Sequence, residues 1–260
     1  TTPRAPVDCL QEERFIWQDV MSMKRILPSN LSYGIKKQMW VSGRYYDIYR
    51  NDYGMPDVNG VKIDDGTTVS VATLADANYF VITPDYKIWI CIDNNKGAAS
   101  TFDPSSSIPA PESDYIVTGS DGYQWLFVGE TSTDDIVNFS TSDFHPIKLV
   151  TVQPSAGATY YLQYAAQEAA ATLGGAVLNV VFASGITGTT ASNVKVLGDG
   201  TGATVNITAT GGFITSITIS NRGSGYTYGF LEGYESAGIV VIIAPVEGLG
   251  ADPVAHLCAS

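Results

Sequence analysis

Cysteine, histidine and basic residues are scarce in this 260-residue sequence, and each shortage narrows what the chain can do. Its three cysteines, Cys9, Cys91 and Cys258, are an odd number spread over the whole length without C-x-x-C spacing. That pattern argues against a disulfide framework or a zinc or redox motif, and predicts three small buried apolar residues in a reducing compartment. The two histidines, His145 and His256, have no carboxylate or thiol partner beside them in sequence, and a triad or zinc site needs such members to converge. A satisfied structural role is expected for both. Fourteen Lys and Arg against 26 Asp and Glu give a formal charge of -12, without the basic clusters that counterion release requires, so neither nucleic acid nor anionic lipid is an expected partner. The longest apolar run, Ala237 to Val246, is half of the roughly 20 residues a spanning helix needs, and no membrane span is expected. Thr1 to Pro6 carries one charge and two prolines with no apolar h-region, so no secretory signal is expected there.

What is present is a chain with 45% apolar residues, enough for a full core in one large or two modest domains. Asp8 can cap a helix with Gln11 three residues later, and Ile16, Val20, Met23 and Leu27 then recur on one helical face until Pro28 stops it. From there short β-branched and aromatic runs alternate with Pro, Gly, Asn and Asp: Val69 to Val71, Tyr79 to Thr83, Lys87 to Ile92 and Gln124 to Val128. Thr101 to Ser113, with three prolines and four serines, reads as an exposed loop. Tyr160 to Leu173 is Ala-rich and predicts a short helix stopped by Gly174-Gly175. Thr204 to Thr208 and Ser216 to Ser220 alternate with period two around Gly211-Gly212, which predicts a β-hairpin. The expected class is therefore mainly β (α+β), an antiparallel β-sandwich core with flanking helices and a small Gly/Thr-rich β module. The expected division is 1–154 for helix and core, 155–235 for the module and 236–260 for a C-terminal strand returning to the core.

No residue is assigned a catalytic, cofactor-binding or metal-ligating role, and the chain is not expected to be an enzyme. Gly198 to Ala203 resembles a phosphate loop, but a β-branched strand follows it where a helix N-terminus is needed, so it reads as a tight turn. Asp93 to Gly97 begins like a calcium loop, yet Gly97, Ala98 and Pro104 stand where a ligand, a glycine and a glutamate belong; a turn after a strand is expected. Gly223-Ser224-Gly225 has the wrong spacing for a nucleophile elbow. Asp64-Asp65, Asp134-Asp135 and Asp121 read as turn and surface residues, since Asp bonds its own backbone in turns. Tyr45, Tyr46, Tyr49, Tyr53, Trp89, Tyr123 and Trp125 serve either core packing, a protein–protein anchor or a sugar-stacking platform, with core packing expected for most.

Several of these words occur together. Trp17, Met21, Lys24, Leu27-Pro28-Ser29, Leu31 and Trp40, then Gly43, Tyr45, Asp47 and Tyr49, precede Cys91-Ile92-Asp93-Asn94-Asn95-Lys96-Gly97-Ala98-Ala99-Ser100-Thr101. Asp121-Gly122-Tyr123-Gln124-Trp125-Leu126-Phe127 and Phe139 to Pro146 follow. In order and gaps this resembles the baseplate wedge subunit of T-even-like contractile-tailed bacteriophages over roughly residues 10 to 150. Gly248 to Leu257 is similar to a family stretch reading GHG-x-DPV-x-EL, with Leu249 and His256 replacing its His and Glu. The resemblance implies a β-sandwich protein, usually dimeric, without catalytic activity, that binds other wedge proteins in the virion tail baseplate after assembly in the host cytoplasm. It also implies a family chain that continues beyond this last stretch. The competing readings are a carbohydrate-binding module of a tail or fibre, supported by the Tyr and Trp content and the Gly/Thr-rich hairpin, and a glycan-degrading enzyme using two carboxylates.

Overall fold

Runs of Val, Ile and aromatic residues between turn-forming residues become strands, because branched and flat side chains pack well on a pleated surface. The computed structural model describes residues 31–51, 53, 73–107, 109–111, 114–182, 184–235 and 238–259. The helix expected over Asp8 to Pro28, the strand at Val69 to Val71, and Cys9, Asp64 and Asp65 lie outside the described residues. The chain is mainly β, of the α+β class. In chain order its strands are β1 (Tyr33–Lys36), β2 (Phe80–Ile82), β3 (Lys87–Asn94), β4 (Ile116–Thr118), β5 (Tyr123–Glu130) and β6 (Phe144–Ile147). They continue as β7 (Val177–Phe182), β8 (Ala191–Gly198), β9 (Thr204–Thr210), β10 (Phe213–Asn221), β11 (Gly229–Leu231) and β12 (Ile239–Ile243). The α-helices are α1 (Thr133–Phe139), α2 (Tyr161–Ala171) and α3 (Pro253–His256).

Four antiparallel sheets carry these strands, and Tyr33–Ser260 forms one unit. The central sheet has the order β2-β3-β5-β4, with Trp89 opposite Phe127 and Cys91 opposite Trp125. Nearly every residue of β3 and β5 is buried, so their side chains feed cores on both faces. Helix α2 packs on β5 with Ala166 and Ala170 inward, where a small side chain lets the helix approach closely. The inward face of α2 also carries buried Gln163 and Gln167, whose amides bond the backbone of Lys148, Val150 and Glu130 as a neighbouring strand would. Strand β6 pairs with β1, and α1 packs beside it.

The predicted hairpin is β9–β10, turning at Gly211 and Gly212 with φ of +64° and +83°, a conformation that strains any residue with a Cβ. With β8 and β11 it forms the sheet β10-β9-β8-β11. The ribbon β7–β12 lies beside both ends of this sheet, β11 against β12 and β10 against β7. Alternation along β12, and along β7 with a register shift opposite Ile242 and Ile243, then sends the ribbon's residues to two different cores. Val177, Val180, Ile239 and Val241 join Val205, Ile207 and Tyr226 inside the Gly/Thr-rich module. Leu178, Ile242 and Ala244 join Trp89, Trp125 and Phe127 in the central core. The strand expected in 236–260 is β12, and its partner is β7.

Candidate functional site

The short words singled out in the sequence converge at one end of the central sheet. Asn94, closing β3, donates from Nδ2 to Tyr46 O at 3.1 Å and accepts from Gly97 N through Oδ1 at 3.1 Å. Tyr49 N donates to Cys91 O at 2.7 Å, and Asp47 Oδ2 accepts from Asn78 N at 2.8 Å. Asp121 gathers the other strands: one carboxylate oxygen accepts from Thr101 N, Phe102 N and Ser100 Oγ, and the other accepts from Tyr123 N. Asn95 Nδ2 reaches Asp121 O, and a Cβ added to Gly122 would stand 2.8 Å from Asn95 Cγ. Only glycine fits at that position. Beneath the loops the rings interlock: Tyr123 stacks on Trp125, and Tyr46 meets Trp125 edge to face, both at 5.5 Å between centroids. Burial raises the Asp121 pKa, but the four donors outweigh it and hold the carboxyl below the usual carboxylate range. This is a knot that fixes three loops, made of acceptors already saturated.

A second polar cluster joins Ser132, Asp135, Lys148 and Tyr160. Ser132 Oγ caps α1 by accepting from Asp135 N, while Asp135 Oδ2 accepts from Ser132 Oγ, the Tyr160 hydroxyl and Lys148 Nζ. Lys148 Nζ also sits 3.7 Å above the Tyr160 ring. Ser, Tyr and Lys together suggest proton transfer, but their titration runs the wrong way for it. Burial and then the Asp135 bond raise the Tyr160 hydroxyl; burial lowers Lys148, yet the bonds to Asp135 and Tyr160 leave it raised overall. A proton-transfer pair at neutral pH needs those values lowered. The cluster is a helix anchor of partners locked in their ordinary charge states.

The third feature is a cleft of about 130 Å³ between the β3 turn, β7 and β10, lined by Asp93, Asn95, Lys96, Asn179, Phe182 and Ser216 among others. Asn95, Lys96 and Gly97 all have positive φ, which turns the chain sharply and sends Lys96 across the cleft. Its Nζ donates to Thr215 O at 2.9 Å and lies 4.3 Å from the Phe182 ring centroid. Burial raises the Asp93 pKa against the opposing effects of Asn95 N and Lys96. Comparison with family models, with curated proteins and with solved structures finds no match to this chain.

Several residues fall where the sequence placed them. Asp93 and Asn94 end β3 and Asn95 to Gly97 turn directly after it, Gly198 to Ala203 joins β8 to β9, and Tyr46, Tyr49, Trp89, Tyr123 and Trp125 are core. Tyr45 stands apart from these rings, 60% exposed. Two readings need correction. Cys258 is exposed, because the turn after α3 puts it in a positive-φ conformation outside the core, with its sulfur 3.8 Å from the Tyr79 hydroxyl. The histidines are only half satisfied. His145 Nε2 bonds Thr131 Oγ1 at 2.9 Å while Nδ1 is buried without a partner, and burial followed by the Lys37 charge lowers the ring pKa to about 4. His256 Nδ1 accepts from Gly250 N, and its Nε2 faces Glu247 Oε1 at 3.5 Å without a hydrogen bond. Among the described residues no group of three or more His, Cys, Asp or Glu side chains is placed to hold a metal ion. Sequence reasoning missed the cleft, since its walls come from three distant segments; the Asn-Lys-Gly turn was the one visible signal.

Proposed function

We propose that the chain is a structural component of a bacteriophage tail baseplate wedge, a homodimer that holds other wedge proteins together by protein–protein contacts in the virion. The observation that supports this reading is the knot. Tyr49, Cys91 to Thr101 and Asp121 to Phe127, from the words on which the family resemblance rests, meet in space and bond one another. Words that jointly specify one packed arrangement are a better token of shared fold than scattered matches. Large side chains left outside also fit a scaffold: Tyr33 and Phe144 on the β1–β6 ribbon, Tyr45 on its loop, and Tyr228 and Phe230 near β11 are all exposed. Aromatic side chains are the favoured anchors of protein interfaces.

Light scattering behind a sizing column, run on the protein alone and then with co-encoded tail proteins, tests the proposal. A dimer that shifts into a defined hetero-complex is the expected result. A monomer that ignores every tail protein contradicts it.

A further inference from the structure

The cleft between β7 and β10 has an unusual electrostatic composition. Asp93 near the end of β3 and Lys96 in the turn after it line the cleft, three residues apart, yet no ion pair joins them. Asp93 Oδ1 accepts from Asn95 N, which leaves Oδ2 facing no protein donor among the described residues. Lys96 gives one hydrogen to Thr215 O and keeps two. Ser216 Oγ and Asn95 Oδ1 make no hydrogen bond among the described residues. Val181, Phe182 and Ile217 also line the cleft.

The seam explains why the cleft exists. β7 and β10 meet at one end, where Val177 N donates to Arg222 O and Arg222 donates to the carbonyls of Val177 and Leu178. Beyond that point the two strands lie near each other but belong to different sheets. Lys96 bridges the gap further along. The opening is therefore held at both ends by the fold.

From this geometry we propose that the cleft is a binding site for a single neutral sugar unit recognised through a vicinal diol. A carboxylate that only accepts and an ammonium that only donates, side by side, match two adjacent hydroxyls, one donating to Asp93 and the next accepting from Lys96. Ser216 and Asn95 serve further hydroxyls, and the C–H groups of the ring meet the apolar part of the lining. Size agrees: 130 Å³ holds about ten water-sized probes, too little for a nucleotide or a helix. An anion would meet Asp93 and a cation would meet Lys96, so a neutral ligand suits both. None of this depends on the wedge assignment.

Saturation-transfer NMR with glucose, galactose and N-acetylglucosamine in turn, followed by amide shift mapping, tests the site. Transfer to at least one sugar at millimolar concentration is expected, with shifts confined to Asn95, Lys96, Phe182, Ser216 and their neighbours. Asp93→Asn should weaken binding about tenfold or more by removing a charged acceptor, and Ser216→Leu should abolish it by filling the cleft. Each variant is checked by its amide spectrum for an intact fold. Absence of transfer to all three sugars, transfer undiminished in both folded variants, or shifts mapping elsewhere overturns the proposal. Binding of inorganic phosphate in their place would also overturn it in favour of an anion site.

Discussion

The central sheet and the Gly/Thr-rich module are both antiparallel β structures, but they are held in different ways. The central core is built on large rings, Trp89, Trp125, Tyr123 and Phe127, and its loops are tied down by particular polar residues such as Asp121 and Asn94. The module core is mostly Val and Ile, with Ala203, Leu231 and the buried ring of Tyr226, and its turns rest on glycines with positive φ. One region depends on who its residues are; the other depends mainly on their period and on where chain reversal is allowed. Recognition words accumulate in the first, and pattern alone predicts the second. The two are coupled because β7 and β12 supply residues to both cores.

The sharpest test of the difference is Trp125→Ala, which should cost about 3–5 kcal/mol in denaturant unfolding, because the ring is fully buried between Tyr46 and Tyr123. Trp125→Phe should cost only about 1 kcal/mol, since it also removes a buried Nε1–H without an acceptor. In the module, Ile207→Ala should cost about 2–4 kcal/mol and move the whole transition, because the shared ribbon links the cores. Two separate transitions would break the coupling claim. Asp121→Ala should cost about 2–3 kcal/mol by leaving several backbone donors unpaired, and Asp121→Asn roughly half of that. Gly212→Ala, with open space around it and φ of +83°, should cost only about 1–2 kcal/mol from backbone strain.

Acid should expose the central region in two steps. His145 has a folded pKa lowered to about 4 from the ordinary value of 6.5, so the unfolded chain binds the extra proton between those values. Its contribution is complete above pH 6.5 and is lost as pH falls towards 4. Asp121, also lowered, keeps its contribution above the ordinary Asp value and loses it as pH falls through the folded one. Unfolding midpoints should fall from pH 7 to 3, and His145→Gln should lessen the slope in the upper part of that range, where His256, also lowered by burial, keeps the rest.

Much of the fold class was legible because local signals agree with it. Period-two alternation around Gly211-Gly212 gave the hairpin, and the Ala-rich stretch gave α2. Pairing of β7 with β12 was not legible, because largely apolar runs such as Val177 to Phe182 name no partner about 60 residues away. Helix α1 was missed because its seven residues bury none of their side chains and so show no apolar face. Gln163 and Gln167 look like surface residues in sequence, yet they line the inner face of α2 as substitutes for a strand. The cleft escaped notice because proximity of Asp93, Asn179 and Ser216 is a property of the tertiary fold.

The central claim is a division of labour: the recognition words hold the fold, and exposed aromatic residues make the contacts of the proposed wedge. Hydrogen exchange on the protein alone and in a mixture with the wedge proteins proposed as its partners tests it most directly. Predicted is new protection on segments carrying Tyr33, Tyr45, Phe144 or Tyr228, with the Cys91–Thr101 and Asp121–Phe127 segments already protected and unchanged. New protection confined to the knot segments, or none anywhere in the mixture, would contradict it.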